Sequence, residues 1–157
     1  KTALAIKWRN LGDTVLWTSS LQALVDLGYS VEIAYPEKYK DLFADDPRFP
    51  LQHWVSKDFK PQKSYDVVLN FHASPSSAQI SKRVNSSQKV IHFHSRIPKR
   101  DPASSPIPQL GVPLKATERD LNVVRALGWT GSPPPTRLYL TPEAANPFRP
   151  LLEKDKR

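Results

Sequence analysis

The chain has 157 residues, 39% of them hydrophobic and 24% charged, the size and balance of one ordinary globular domain with a real core. It contains no cysteine, so no disulfide framework is available, and no apolar run approaches the roughly 20 residues that span a bilayer; with no signal-peptide core between Lys1 and Lys7, the expected location is cytoplasmic. Lysine and arginine number 23 against 15 acidic residues, a net charge of +8, which suits an anionic partner such as a phosphorylated glycolipid, a membrane surface or a nucleic acid.

The short apolar run Ala3-Leu4-Ala5-Ile6 predicts a first strand, ended by the turn-prone Arg9-Asn10-Leu11-Gly12-Asp13. Asp13 or Thr14 is expected to cap a helix with Trp17, Leu21, Leu24 and Val25 at helical spacing and Gly28 as a left-handed stop. Val31-Glu32-Ile33-Ala34-Tyr35 reads as a second strand, and Pro36 as the first residue of a short amphipathic helix using Tyr39, Leu42 and Phe43. Leu51 to Val55 is a short third strand. Val67-Val68-Leu69-Asn70-Phe71 is near-continuously apolar, as a strand covered on both faces would be. Ser74-Pro75-Ser76-Ser77 then opens a helix that runs to about Val84, and Lys89-Val90-Ile91-His92-Phe93-His94 follows as a fifth strand.

Between Ser95 and Pro113 stand five prolines, too many for regular structure, so this stretch is expected to be a long surface loop of the kind that often carries function. A last helix is expected from about Thr117 to Leu127, with Leu121, Val124 and Leu127 on one face and Gly128 ending it. Pro133-Pro134-Pro135 then leads to a short strand, Leu138-Tyr139-Leu140. Residues 142–157 read as a linker or the start of a connection to a further domain, leaving 1–141 as one domain. Strands alternating with helices imply an α/β fold built on a doubly wound, mainly parallel sheet. Ligands of such sheets sit beyond the carboxyl ends of the strands, the edge that loops 8–14, 71–77 and 94–113 should share.

The loop before the first helix carries the most chemistry. Gly12 lets backbone come close to a ligand, and a helix N-terminus favours negative charge, so Asp13 is placed to take a proton from a bound hydroxyl. On residue chemistry alone, the cap preference favours reading Asp13 as a plain N-cap. Lys57, Lys60 and Lys63, and the group Arg96, Lys99 and Arg100, sit in loops and suit the phosphates of an anionic acceptor, or else form a solvated face. His92 and His94 share one face of a strand and His72 ends a neighbouring one; strand-end histidines of this kind more often hydrogen-bond or line a pocket, and no metal site is expected. The tryptophans are core or interface anchors, with Trp8, beside the Asp13 loop, the best placed to stack on a sugar. The first turn has neither G-x-G-x-x-G nor G-x-x-x-x-G-K, which argues against an NAD enzyme or an ATPase. No basic recognition helix, paired RNP aromatics or zinc-finger spacing accompanies the charge, so no nucleic acid is expected as a partner.

Leu11-Gly12-Asp13, with Thr18 five residues after the aspartate and then Leu21-Gln22-Ala23-Leu24, resembles the opening signature of glycosyltransferase family 9, which includes the lipopolysaccharide heptosyltransferases. Tyr65 to Asn70 resembles that family's central strand, Glu118-Arg119-Asp120-Leu121 through Gly128 its late helix, and Arg137 to Glu143 the segment before its second domain. The chain departs from the family pattern at Ser19, where proline is usual, and at Trp17, where threonine often stands. The resemblance implies the N-terminal, Rossmann-like, acceptor-side half of an inverting GT-B enzyme. In such an enzyme the aspartate matching Asp13 is the general base, and a nucleotide sugar such as ADP-heptose is the donor substrate, bound mainly by a C-terminal domain. It implies no cofactor, and an anionic glycolipid or oligosaccharide of the lipopolysaccharide-core type as acceptor. It also implies a bacterial cytoplasmic enzyme in peripheral contact with the inner membrane, and inactivity of this portion alone. The candidate substrate contacts are Asn10, Gly12, Thr18, Lys57, Lys60, Arg96, Lys99 and Arg100. The alternative is a non-catalytic Rossmann-like module that binds an anionic glycan or nucleotide without turnover; tight ligand binding unaffected by Asp13→Asn, with no transfer by either form, would favour it.

Overall fold

The computed structural model describes residues 1–8, 10–72, 74–91 and 115–140. Its centre is strand β1 (Thr2–Ile6), whose side chains alternate between two cores. Ala3 and Ala5 face one helical layer, while Leu4 and Ile6 face the other. A strand covered on both sides has no solvent face to mark with polar residues, which is why the run is uniformly apolar. Parallel to it lie β2 (Ser30–Tyr35), β3 (Gln52–Trp54), β4 (Tyr65–Asn70) and β5 (Ser86–Ile91), in the order β3-β2-β1-β4-β5. The α/β, doubly wound parallel sheet expected from the sequence is therefore what forms.

Helix α1 (Leu11–Asp26) packs Trp17, Leu21 and Leu24 into the first core, where the Trp17 ring meets Phe43 and Phe71 edge-on. It starts earlier than expected. Asn10, not Asp13 or Thr14, is the N-cap: its carbonyl accepts from the Thr14 amide at 3.0 Å, so the helical ladder begins there and Asp13 falls in the first turn. Gly28 at φ 83° stops the helix as expected, and Gly128 at φ 100° follows α3 (Ala116–Arg125) in the same conformation. The helix expected after Pro36 is instead a 3-10 segment, Glu37–Leu42, with Pro36 as its N-cap and Tyr39 off helical geometry at φ −111°, ψ 16°. None of its own residues is fully buried, and Tyr39 and Leu42 pack half-buried against the first core from this 3-10 geometry.

On the second face lies α2 (Pro75–Arg83), opened by a reciprocal capping box between Ser74 and Ser77. Strand β5 begins at Ser86, three residues before the expected start; His92, Phe93 and His94, like the proline-rich loop and residues 142–157, lie outside the described residues. The strand expected at Leu138–Leu140 does not form. Side chains rather than a strand take up the backbone of this stretch: Thr18 Oγ1 accepts from the Arg137 amide, Ser19 Oγ donates to the Pro134 carbonyl and Arg48 donates to the Arg137 carbonyl. Among the described residues no helix is long and apolar enough to cross a membrane.

Candidate functional site

In a sheet of this order the connections leave in opposite directions from β1 and β4, and the crevice beyond their carboxyl ends is where ligands bind. Pairing persists one residue past each strand, with the Lys7 amide on the Ala34 carbonyl at 3.0 Å and the Phe71 amide on the Ile6 carbonyl at 2.8 Å. The chains then part, one into α1 and the other into α2. On the β4 side the turn is tied shut: Asn70 donates to Ser77 Oγ and accepts from the His72 amide, and Ser77 Oγ donates to the His72 carbonyl.

On the β1 side the strand alternation carries Lys7 onto the face of Ala3 and Ala5, and Trp8 onto the face of Leu4 and Ile6. Lys7 is fully buried and forms an ion pair with Asp120 of α3, also buried. Burial pushes the Lys7 ammonium down and the Asp120 carboxyl up from their ordinary values, outweighing the attraction between them. Arg119, the neighbour of Asp120, lies with its guanidinium 3.7 Å from Asp13 Oδ1 and 3.7 Å from Asp120 Oδ1. Asp13 is a quarter exposed, at the open end of this row of charges. The site thus holds a partly accessible carboxylate on a helix N-terminus, faced by a guanidinium, with a buried ion pair behind it.

Trp8 contributes to a cavity of about 320 Å³ on the other side of β1, lined also by Lys57, Asp58, Ser76, Gln79, Ile80 and Arg83. Arg83 donates to the Lys57 carbonyl at 2.9 Å, which brings two cations and an aromatic ring to one concavity. The loop that carries Lys57 is anchored from below. Buried Glu32 accepts from Lys63, His53 and Tyr65, and the His53 ring lies 5.7 Å from Phe59. Burial would push the Glu32 carboxyl up, but these hydrogen bonds and the Lys63 charge outweigh it and hold the carboxyl below its ordinary value. The same environment, burial first and Glu32 next, pushes the Tyr65 phenol up.

Of the residues singled out in the sequence, Asn10, Gly12 and Asp13 come together at the start of α1, and Lys57 lies on the Trp8 cavity. Lys60 is exposed in the same loop but does not line that cavity. Thr18 is buried farther along α1, with its hydroxyl engaged by the Val15 carbonyl and the Arg137 amide. Arg96, Lys99 and Arg100 lie outside the described residues, as do His92 and His94. Among the described residues no three metal-ligating side chains gather. Sequence reasoning gave no role to Lys7, Arg119, Asp120 or Arg83; the one available signal was a lysine continuing the Ala3-Ala5 face of a buried strand.

No family model and no curated protein matches the chain. Solved structures do. A glycosyltransferase family 9 protein from Veillonella parvula superposes with a TM-score of 0.72 at 16% identity, over 99% of this chain and 50% of that one. The E. coli heptosyltransferase WaaC, solved with ADP-2-deoxy-2-fluoro heptose, gives 0.66 at 16% identity over 87% of this chain and 51% of its own. The same enzyme with ADP gives 0.66 at 15%, over 88% and 50%. The chain therefore has the Rossmann-like fold found in family 9 heptosyltransferases, and it spans about half the length of those structures.

Proposed function

We propose that this chain is the acceptor-side half of an inverting glycosyltransferase in which Asp13 is the general base. The observation that carries the reading is the position of Asp13: a quarter-exposed carboxylate in the first turn of α1, at the crevice where β1 and β4 part. There it takes the proton from an acceptor hydroxyl as that oxygen bonds to the anomeric carbon of a nucleotide sugar; the bond from the anomeric carbon to the phosphate oxygen breaks, and the nucleoside diphosphate leaves with the electron pair. The ligands of the E. coli relative make ADP-heptose the first donor to try. Trp8, Lys57 and Arg83 offer a ring face and two cations to a sugar bearing phosphate or carboxylate, which favours a lipopolysaccharide-core-type acceptor. The donor nucleotide is held mainly by residues beyond this chain, so the chain alone does not turn over. The enzyme works in the cytoplasm, in peripheral contact with the inner membrane where such an acceptor is found. The test is heptose transfer from ADP-heptose to a lipid A core acceptor by the full-length gene product. Wild type should transfer and Asp13→Ala, still folded, should not; transfer indifferent to the substitution removes Asp13 from the mechanism.

A further inference from the structure

The Lys7–Asp120 ion pair is an odd choice for stability. Both side chains are almost fully buried at the end of β1, where the preceding residues on the same face are the alanines of the core. Taking two charges out of water costs as much as or more than their attraction returns, and apolar residues of the same shape commonly hold a fold as well. The pair does something an apolar contact would not. Asp120 turns one oxygen to Lys7 and leaves the other, which has no hydrogen bond, 3.7 Å from Arg119 Nε. Arg119 in turn reaches Asp13 at 3.7 Å. The four charges alternate in sign from the buried interior to the partly open carboxylate.

Arg119 needs such support. Its amide donates to the carbonyl of Lys115, the N-cap of α3, so a cation stands at the positive end of a helix, where it is disfavoured. The other charged side chains near that end do not hold it, since Glu118 is paired with Arg125 at 2.9 Å. Among the described residues, Asp120 and Asp13 are the carboxylates within 4 Å of it. Both of its contacts, at 3.7 Å, are longer than a hydrogen bond, so neither by itself fixes the guanidinium.

We infer that Lys7 and Asp120 are positioning residues: the buried pair pins the first turn of α3 against the end of β1 and thereby holds Arg119 in register with Asp13. This rests on Asp13 as the base, and neither Lys7 nor Asp120 touches substrate. A merely structural pair could be replaced by an apolar one at no catalytic loss; a positioning pair could not.

The experiment compares the full-length gene product with the double variant Lys7→Met/Asp120→Leu, which keeps the shape of the contact without its charges. Thermal melting, kcat and KM with ADP-heptose and a lipid A core acceptor, and the Arg119–Asp13 separation in a crystal structure of the variant are measured. The expected result is a folded protein whose kcat falls about 10- to 100-fold while KM for the acceptor stays within about threefold, as for a misplaced group that acts in the transition state. Arg119 has then left Asp13. Wild-type kcat in a folded double variant overturns the inference. A double variant that does not fold sends the test to Asp120→Asn, of the same shape, for which the same fall in kcat supports positioning and an unchanged kcat overturns it. Should wild type itself transfer nothing, the proposed function has failed, and positioning is decided by the crystal structure alone: a lost Arg119–Asp13 contact supports it, and a retained one overturns it.

Discussion

Removing only one member of the Lys7–Asp120 pair leaves a charge stranded in the interior. Both side chains are about 1% exposed, so neither can be rehydrated without opening the interface between α3 and the end of β1. Loss of one partner from such a pair costs about 3–5 kcal/mol, a large share of the 5–15 kcal/mol that typically holds a domain together. The two single variants should not be equal. Lys7→Met leaves Asp120 facing the Arg119 guanidinium at 3.7 Å, whereas Asp120→Leu leaves Lys7 with no carboxylate within 4 Å among the described residues, so Asp120→Leu should be the more damaging. In a domain of this size the expected fall in melting temperature is about 6–20 °C. Urea unfolding followed by tryptophan fluorescence reads the difference, with the midpoint moving and the slope unchanged. The double variant should recover much of the loss, a coupling well beyond the ~0.5 kcal/mol of independent sites. Single variants within about 1 kcal/mol of wild type, with additive effects, would refute the reasoning, because the pair would then be solvated or unformed.

Glu32→Gln should show its cost only where Glu32 is ionised. The folded protein holds this carboxyl below its ordinary value of 4.5, so its contribution is complete above about pH 4.5 and is lost as pH falls through the folded value. Melts across pH 3–7 should show the gap between wild type and variant constant above that point and closing below it; a gap independent of pH contradicts the anchor. Lys57→Gln and Arg83→Gln together should raise the acceptor KM about 10- to 100-fold with kcat nearly unchanged, the loss of charged hydrogen bonds. A KM that does not move takes the Trp8 cavity out of acceptor binding.

Strands β1, β2 and β4 were legible because each is buried on both faces and written as a short apolar run, and the helix stops at Gly28 and Gly128 because positive φ favours glycine. The start of α1 was not. Asn10 caps through its carbonyl and makes no side-chain cap bond, so residue preference alone could not rank it above Asp13 or Thr14. Leu138-Tyr139-Leu140 has strand-like residues, yet Arg48, Thr18 and Ser19 bind the adjoining backbone, and they are distant in sequence. The site divides in the same way. Loop chemistry and the family resemblance picked out Asp13, while the Lys7–Asp120 pair joins residues 113 positions apart. Nothing local in either segment announces the other.

Asp13→Asn keeps the shape of the side chain and removes its ability to take a proton, so it tests the central claim with least disturbance to α1. Single-turnover transfer from ADP-heptose to a lipid A core acceptor by the full-length gene product should slow by about 10²- to 10⁴-fold, with ADP-heptose binding and melting temperature retained. Transfer by the folded variant at the wild-type rate would contradict the account.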